Sequence, residues 1–175
     1  SMTARNKAIF LDRDGVINHD PGDYTRSLEE FNILPTVFET LKKLDDAGYL
    51  LVLITNQGGI AKGLYSHDDV NEIHTYLMEK CIEHGFRLTD VYYSPHHPDF
   101  GESLSRKPGS LMIEKACAKY DIDPAKSWMV GDKVRDLEAG EGAGVKGVLI
   151  PVNGAIADVA IQLLNSPLTN AISNE

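Results

Sequence analysis

The chain has 175 residues, enough for one domain with a full core, and its 42% apolar content is ordinary for a globular protein. Its 17 Lys and Arg against 26 Asp and Glu give a formal charge of −9, which argues against general binding to nucleic acid or anionic membranes; an anionic ligand needs a local cluster of cations or a metal ion. No apolar run approaches the length of a membrane span, no signal peptide is read at the polar start, and Ser1, before Met2, is set aside as a remnant of expression.

Strands and helices alternate along the chain. Residues 7–11 are an apolar run that reads as a buried strand, followed by a polar connection over 18–32. Residues 36–47 read as a helix with Val37, Leu41 and Leu44 on one face and Gly48 as its stop. Residues 49–55 are continuously apolar, as a buried parallel strand is. A helix is predicted over 66–84, capped by Ser66 and stopped by Gly85. Strands follow at 88–93, 127–130 and 147–150, with helices at 110–120, 134–143 and 156–164 and a long polar loop over 96–109. Residues 1–6 and 166–175 are expected to be loose ends of a single domain spanning 1–175. The alternation implies right-handed crossovers and a doubly wound, Rossmann-like parallel sheet. Cys81 and Cys117 fall inside helices without paired spacing and read as reduced packing residues of a cytoplasmic protein.

Four strand ends carry chemistry. The first bears Asp12 and Asp14, the second Thr55-Asn56-Gln57, the loop after the third Arg106-Lys107-Pro108, and the fourth Gly131-Asp132-Lys133, with Asp136 one turn on. In a parallel sheet these ends lie along one edge, where open α/β folds put their ligands. The set suits phosphoryl transfer to water. Asp12, Asp14 and Asp132 offer oxygen ligands to Mg²⁺. Asp12 is placed to attack phosphorus, and Asp14 to protonate the leaving alcohol and then deprotonate water. Thr55 offers its hydroxyl and backbone N–H groups to the phosphoryl oxygens, Lys107 offsets the developing charge, and Arg106 suits a bidentate grip on a substrate anion or diol. Asp136 is ambiguous, because the first turn of a helix favours acids for dipole reasons alone.

Asp12-Arg13-Asp14-Gly15-Val16 resembles the first motif of haloacid dehalogenase-superfamily phosphatases, and the other three strand-end motifs resemble the second to fourth, in order. Asp-Arg-Asp-Gly with Thr-Asn-Gln and Arg-Lys-Pro is similar to the branch that holds heptose-bisphosphate 7-phosphatases and histidinol-phosphatase domains, over residues 7–152. The resemblance implies that Asp12 is the nucleophile and Asp14 the acid/base. It also implies that Asp12, Asp132 and the Asp14 backbone carbonyl hold magnesium, that Lys107 steadies the phosphoryl group, and that Asn56, Gln57, Arg106 and Lys133 meet the substrate. The branch usually has a zinc loop of one His and three Cys before Arg-Lys-Pro; here Ser94, Ser103 and Ser105 stand where cysteines are expected, so structural zinc is expected to be absent. The gaps between Asp14 and Thr55, and between Thr55 and Lys107, leave no room for a cap domain. The site should therefore be open and walled by residues 18–24, 58–65 and 96–105. The expected substrate is a small phosphorylated metabolite, the expected protein a monomer. Two alternatives stay open: a phosphatase of histidinol phosphate or another small ester, and a non-enzymatic phospho-acceptor switch, against which Asp14 argues.

Overall fold

A computed structural model describes residues 5–165; of the loose ends expected at 1–6 and 166–175, residues 1–4 and 166–175 lie outside the described residues, whereas Asn6 is held, its N–H donating to the Asp121 carbonyl at 2.9 Å and its carbonyl accepting from the Asp123 N–H at 2.7 Å. Five parallel strands run in the order β3-β2-β1-β4-β5. They are β1 (Lys7–Leu11), β2 (Tyr49–Asn56), β3 (Asp90–Ser94), β4 (Trp128–Gly131) and β5 (Lys146–Leu149). The helices α1 (Val37–Asp46), α2 (His67–Glu83), α3 (Leu111–Tyr120) and α4 (Val134–Gly142) form the crossovers, and α5 (Ala157–Leu164) follows β5.

Alternation along the strands divides the core in two, because successive side chains point to opposite faces. Ile9, Leu11, Leu51, Leu53, Trp128 and Val130 pack with Leu41, Leu44, Ile73, Leu77 and Leu163 from α1, α2 and α5. Ala8, Phe10, Val52, Ile54 and Met129 pack with Ile113, Ala116, Cys117 and Ala139 from α3 and α4. Each fully buried Leu, Ile or Phe contributes about 1.5–3 kcal/mol. Both cysteines are buried and unpaired, and burial pushes the Cys81 thiol up to about 12.

The doubly wound sheet is as expected, with shifts at element ends. Pairing of β3 begins at Val52↔Asp90 rather than at Leu88, whose side chain is buried without joining the ladder; apolarity there marked burial, not a strand. Ser127, read as the first residue of β4, instead accepts from the Ala8 N–H and donates to the Asp123 carbonyl. Short 3-10 helices at Leu28–Glu30, Pro98–Phe100 and Pro124–Lys126 were not anticipated, although the last two open on Pro with a capping His97 or Asp123 before it. The intervals Asp14–Thr55 and Thr55–Lys107 hold only helices, strands and loops of this sheet, with no separate folded cap.

β1 pairs with β2 on one side and β4 on the other, so the direction of winding reverses beside it. The crevice at such a switch point opens over the carboxyl ends of the strands. Asp12 follows β1 directly, and its N–H extends the ladder to the Val130 carbonyl at 3.0 Å.

Candidate active site

The structure brings the four strand-end motifs together around one buried ammonium. Lys107 Nζ donates to Asp12 Oδ1 at 2.8 Å, to Asp136 Oδ1 at 2.6 Å and to the Ile54 carbonyl at 2.9 Å. All three of its protons are thereby used. Burial alone would lower its proton affinity, but the two carboxylates more than offset this and the ammonium is held charged. Asp12 moves the other way: burial raises its carboxyl well above the usual range, repulsion from Asp136 adds to that, and Lys107 only partly offsets it.

Asp136 also caps its own helix. Its Oδ2 accepts from the backbone N–H of Asp132 at 3.2 Å and of Lys133 at 3.0 Å. Gly131 makes the approach possible, since a Cβ there would stand 2.3 Å from the Asp136 Cβ. The acid left ambiguous in the sequence thus serves the helix and binds Lys107 as well.

Asp14 stands outside this cluster, in a network of its own. Arg13 Nη2 donates to Asp14 Oδ1 at 2.7 Å, Asn18 Nδ2 donates to the same oxygen at 3.0 Å, and Gln57 Nε2 donates to Oδ2 at 2.9 Å. Burial works against the ionised carboxyl, but Arg13, Asn18 and Gln57 outweigh it and hold Asp14 below its ordinary value. Arg13 is completely buried, 5.6 Å above the Phe31 ring, and its Nη1 reaches His74 Nε2 at 3.2 Å. A guanidinium can only donate, so Nε2 accepts and the ring proton sits on Nδ1. Burial and the Arg13 charge lower His74 to about 3, which keeps it a neutral acceptor.

The remaining predicted residues divide by what they touch. Gln57 donates to Thr55 Oγ1 at 2.9 Å as well as to Asp14, and accepts from the Tyr65 hydroxyl at 2.7 Å, so its amide positions the acid while the residue lines the cavity over Asp14. Asn56 spends its amide on the Lys107 backbone, donating to the carbonyl at 3.1 Å and accepting from the N–H at 2.9 Å. Lys133 Nζ lies 3.4 Å from Asp132 Oδ2. Ser94, Ser103 and Ser105 join through their hydroxyls at 2.9 and 3.0 Å, bracing the loop that leads into Arg106.

A cavity of about 300 Å³ opens over Asp14 and is lined by Asp20, Asp23, Tyr24, Gly58, His97, Arg106 and Arg135, among others. All three expected walls contribute. Asn153 ties the first of them down: its amide accepts from the Asp20 N–H at 2.7 Å and donates to the Asp20 carbonyl at 2.9 Å. Sequence reasoning missed Arg13, Asn18, Tyr65, His74 and Arg135. His74 had a legible signal, since it shares the buried stripe of α2 with Val70, Ile73, Leu77 and Cys81.

The donor set fits a divalent cation. Carboxylate oxygens of Asp12, Asp132 and Asp136 lie within 4.8 Å of one another, and Asp132 Oδ1 is buried with no hydrogen-bond partner. An orphaned buried carboxylate oxygen is costly unless a cation meets it. Gly15, at φ +88°, lets Asp132 come close, since a Cβ there would stand 2.1 Å from Asp132 Oδ2. Both oxygens of Asp136 are already engaged, which leaves Asp12 and Asp132 as the carboxylates for an ion.

A doubly wound parallel sheet with this carboxylate–lysine cluster at its switch point defines a hydrolase of phosphate monoesters. A family model described as HAD-hydrolase-like matches residues 104–159. The D-glycero-beta-D-manno-heptose-1,7-bisphosphate 7-phosphatase of Haemophilus influenzae is 42% identical over 171 residues, covering 92% of each chain. The D-glycero-D-manno-heptose-1,7-bisphosphate 7-phosphatase of Chlorobaculum tepidum is 38% identical over 82% of this chain and 78% of its own. Among solved structures, the D,D-heptose 1,7-bisphosphate phosphatase of B. bronchiseptica, complexed with magnesium and phosphate, matches with a TM-score of 0.79 and 32% identity, over 91% of this chain and 98% of that one. The chain belongs to the HAD-like phosphatase family that contains these heptose-bisphosphate phosphatases.

Proposed function

We propose that the protein is a magnesium-dependent phosphatase that removes the 7-phosphate of D-glycero-D-manno-heptose 1,7-bisphosphate by way of an aspartyl-phosphate on Asp12. The observation that carries the chemistry is the separation of two acids two residues apart. Asp12 is pinned by Lys107 at the strand end, while Asp14 faces the cavity in a different set of hydrogen bonds. The substrate comes from the relatives, two of which carry that bisphosphate in their names at 42% and 38% identity.

In this reading Asp12 attacks phosphorus while the bond to the sugar oxygen breaks, and Asp14 gives that oxygen its proton. Water then attacks the aspartyl-phosphate, Asp14 takes its proton, and Asp12 is regenerated with release of inorganic phosphate. In the free enzyme Arg13 holds Asp14 ionised; the negative charge of an arriving phosphate raises its proton affinity, which readies it to act first as an acid. Lys107 screens Asp12 from the incoming phosphate, and the Thr55 hydroxyl and nearby backbone N–H groups receive phosphoryl oxygens. Asp12, Asp132 and the Asp14 carbonyl would hold Mg²⁺, which when bound neutralises charge on the phosphoryl group. The hydroxyl cluster of Ser94, Ser103 and Ser105 shapes the 96–105 loop without zinc.

A phosphate-release screen with magnesium tests this. Heptose 1,7-bisphosphate is expected to exceed histidinol phosphate and common sugar phosphates by at least about tenfold in kcat/KM, equivalent to roughly 1.4 kcal/mol of transition-state binding. A preference of that size for histidinol phosphate contradicts the reading, and stoichiometric zinc in protein purified without added metal contradicts the account of the loop.

A further inference from the structure

Arg135 has no part in the chemistry above, yet it lines the same cavity as Asp14. It is the second residue of α4 and is exposed. A cation in the first turn faces the positive end of the helix dipole, where an acid is favoured, so its position is electrostatically adverse. Among the described residues neither Arg135 nor Arg106 is paired with a carboxylate; Arg106 Nη1 donates only to the His96 carbonyl, at 2.8 Å. The acids that line the cavity with them are engaged elsewhere. Asp14 is bound by Arg13, Asp20 Oδ1 accepts from the Gly22 N–H at 2.9 Å, and Asp23 pairs with Arg26 at 3.1 Å. The two guanidiniums also act on each other: after burial, the Arg135 charge is the next largest influence lowering Arg106. In a chain of net charge −9, the two arginines bring positive charge without a carboxylate partner to a cavity that three aspartates also line.

We propose that Arg106 and Arg135 together form the seat for a second anionic group of the substrate, a phosphate carried away from the bond that is cleaved. A doubly charged phosphate supplies the negative charge that both guanidiniums lack, and its oxygens match their planar donor forks. The cavity, at about 300 Å³, has room for a sugar between this seat and Asp14. The inference rests on the phosphatase reading above and deepens it: Arg135 selects bisphosphates over monophosphates.

The test compares Arg135→Gln and Arg135→Lys with the parent protein on matched pairs, heptose 1,7-bisphosphate against heptose 7-phosphate and fructose 1,6-bisphosphate against fructose 6-phosphate. In R135Q, kcat/KM for the bisphosphates should fall roughly 10- to 100-fold, mainly through KM, with the monophosphates unchanged within about twofold. R135K should recover part of the loss, because a point charge remains but the fork is gone. Calorimetric titration of the same pairs into the Asp12→Asn protein, with and without R135Q, reads the same discrimination without turnover. Equal losses on both members of a pair, or no loss on the bisphosphates, overturn the inference. If the parent protein does not favour the heptose yet R135Q erodes bisphosphate discrimination, the substrate reading fails and the seat stands.

Discussion

Asp12→Asn is expected to lose at least about 10⁴-fold in turnover while folding normally. An amide has the size of the carboxylate but cannot form the aspartyl-phosphate. The stability side is equally specific. In the folded protein the Asp12 carboxyl lies well above its ordinary value, through burial and then the neighbouring Asp136. A raised carboxyl contributes stability below its unfolded pKa, and that contribution is lost as pH rises through the folded one. Ionising this side chain in the folded protein without magnesium therefore costs stability, and the neutral amide removes that cost. In EDTA at pH 7, thermal melting should place Asp12→Asn level with or above the parent protein. A melt lowered by many degrees would mean that Asp12 is chiefly a structural partner of Lys107.

The neighbouring carboxylate should behave in the opposite way. Asp136→Ala strips Lys107 of its shortest bond, 2.6 Å, and leaves a buried ammonium with one carboxylate in place of two. It also removes the acceptor for the Asp132 and Lys133 N–H groups. Breaking a buried ion pair from one side costs about 3–5 kcal/mol. For a chain of this size that corresponds to roughly 6–20 °C in Tm. Turnover should also fall, about 10- to 100-fold, because Lys107 no longer holds its place beside Asp12. Thermal melts and kcat measured on the same preparation check both effects. A melt within about 2 °C of the parent would rule out a stabilising role for the pair. The contrast between Asp12→Asn and Asp136→Ala separates the attacking group from the group that holds its surroundings, within one cluster of acids.

The sequence made the attacking side of this site legible because local rules are enough for it. An apolar run ending in Asp12 and Asp14 places both acids at a strand end, and alternation of elements places the other motifs on the same edge. What stayed hidden depends on distance in the chain. Asp136 sits in a helix first turn, where its capping role explains it fully, and its bond to Lys107 spans 29 residues. Asn56 ends the second strand beside Thr55 and read as a substrate contact; it lines the cavity, but that its amide also closes on a backbone 51 residues away was hidden. Arg13 looked like a spacer between two acids; its burial against Phe31 and His74 arises only when α2 packs over β1. Arg135 carried no local signal at all, since a charge on an exposed helix turn is ordinary until a cavity is found beside it.

The central claim is tested most directly by following heptose 1,7-bisphosphate with phosphorus NMR in the presence of the protein and magnesium. The account predicts that the 7-phosphate resonance disappears over many turnovers as inorganic phosphate grows in, with the 1-phosphate retained. Release of the 1-phosphate instead, or a single stoichiometric transfer to the protein with no further phosphate release, would contradict it.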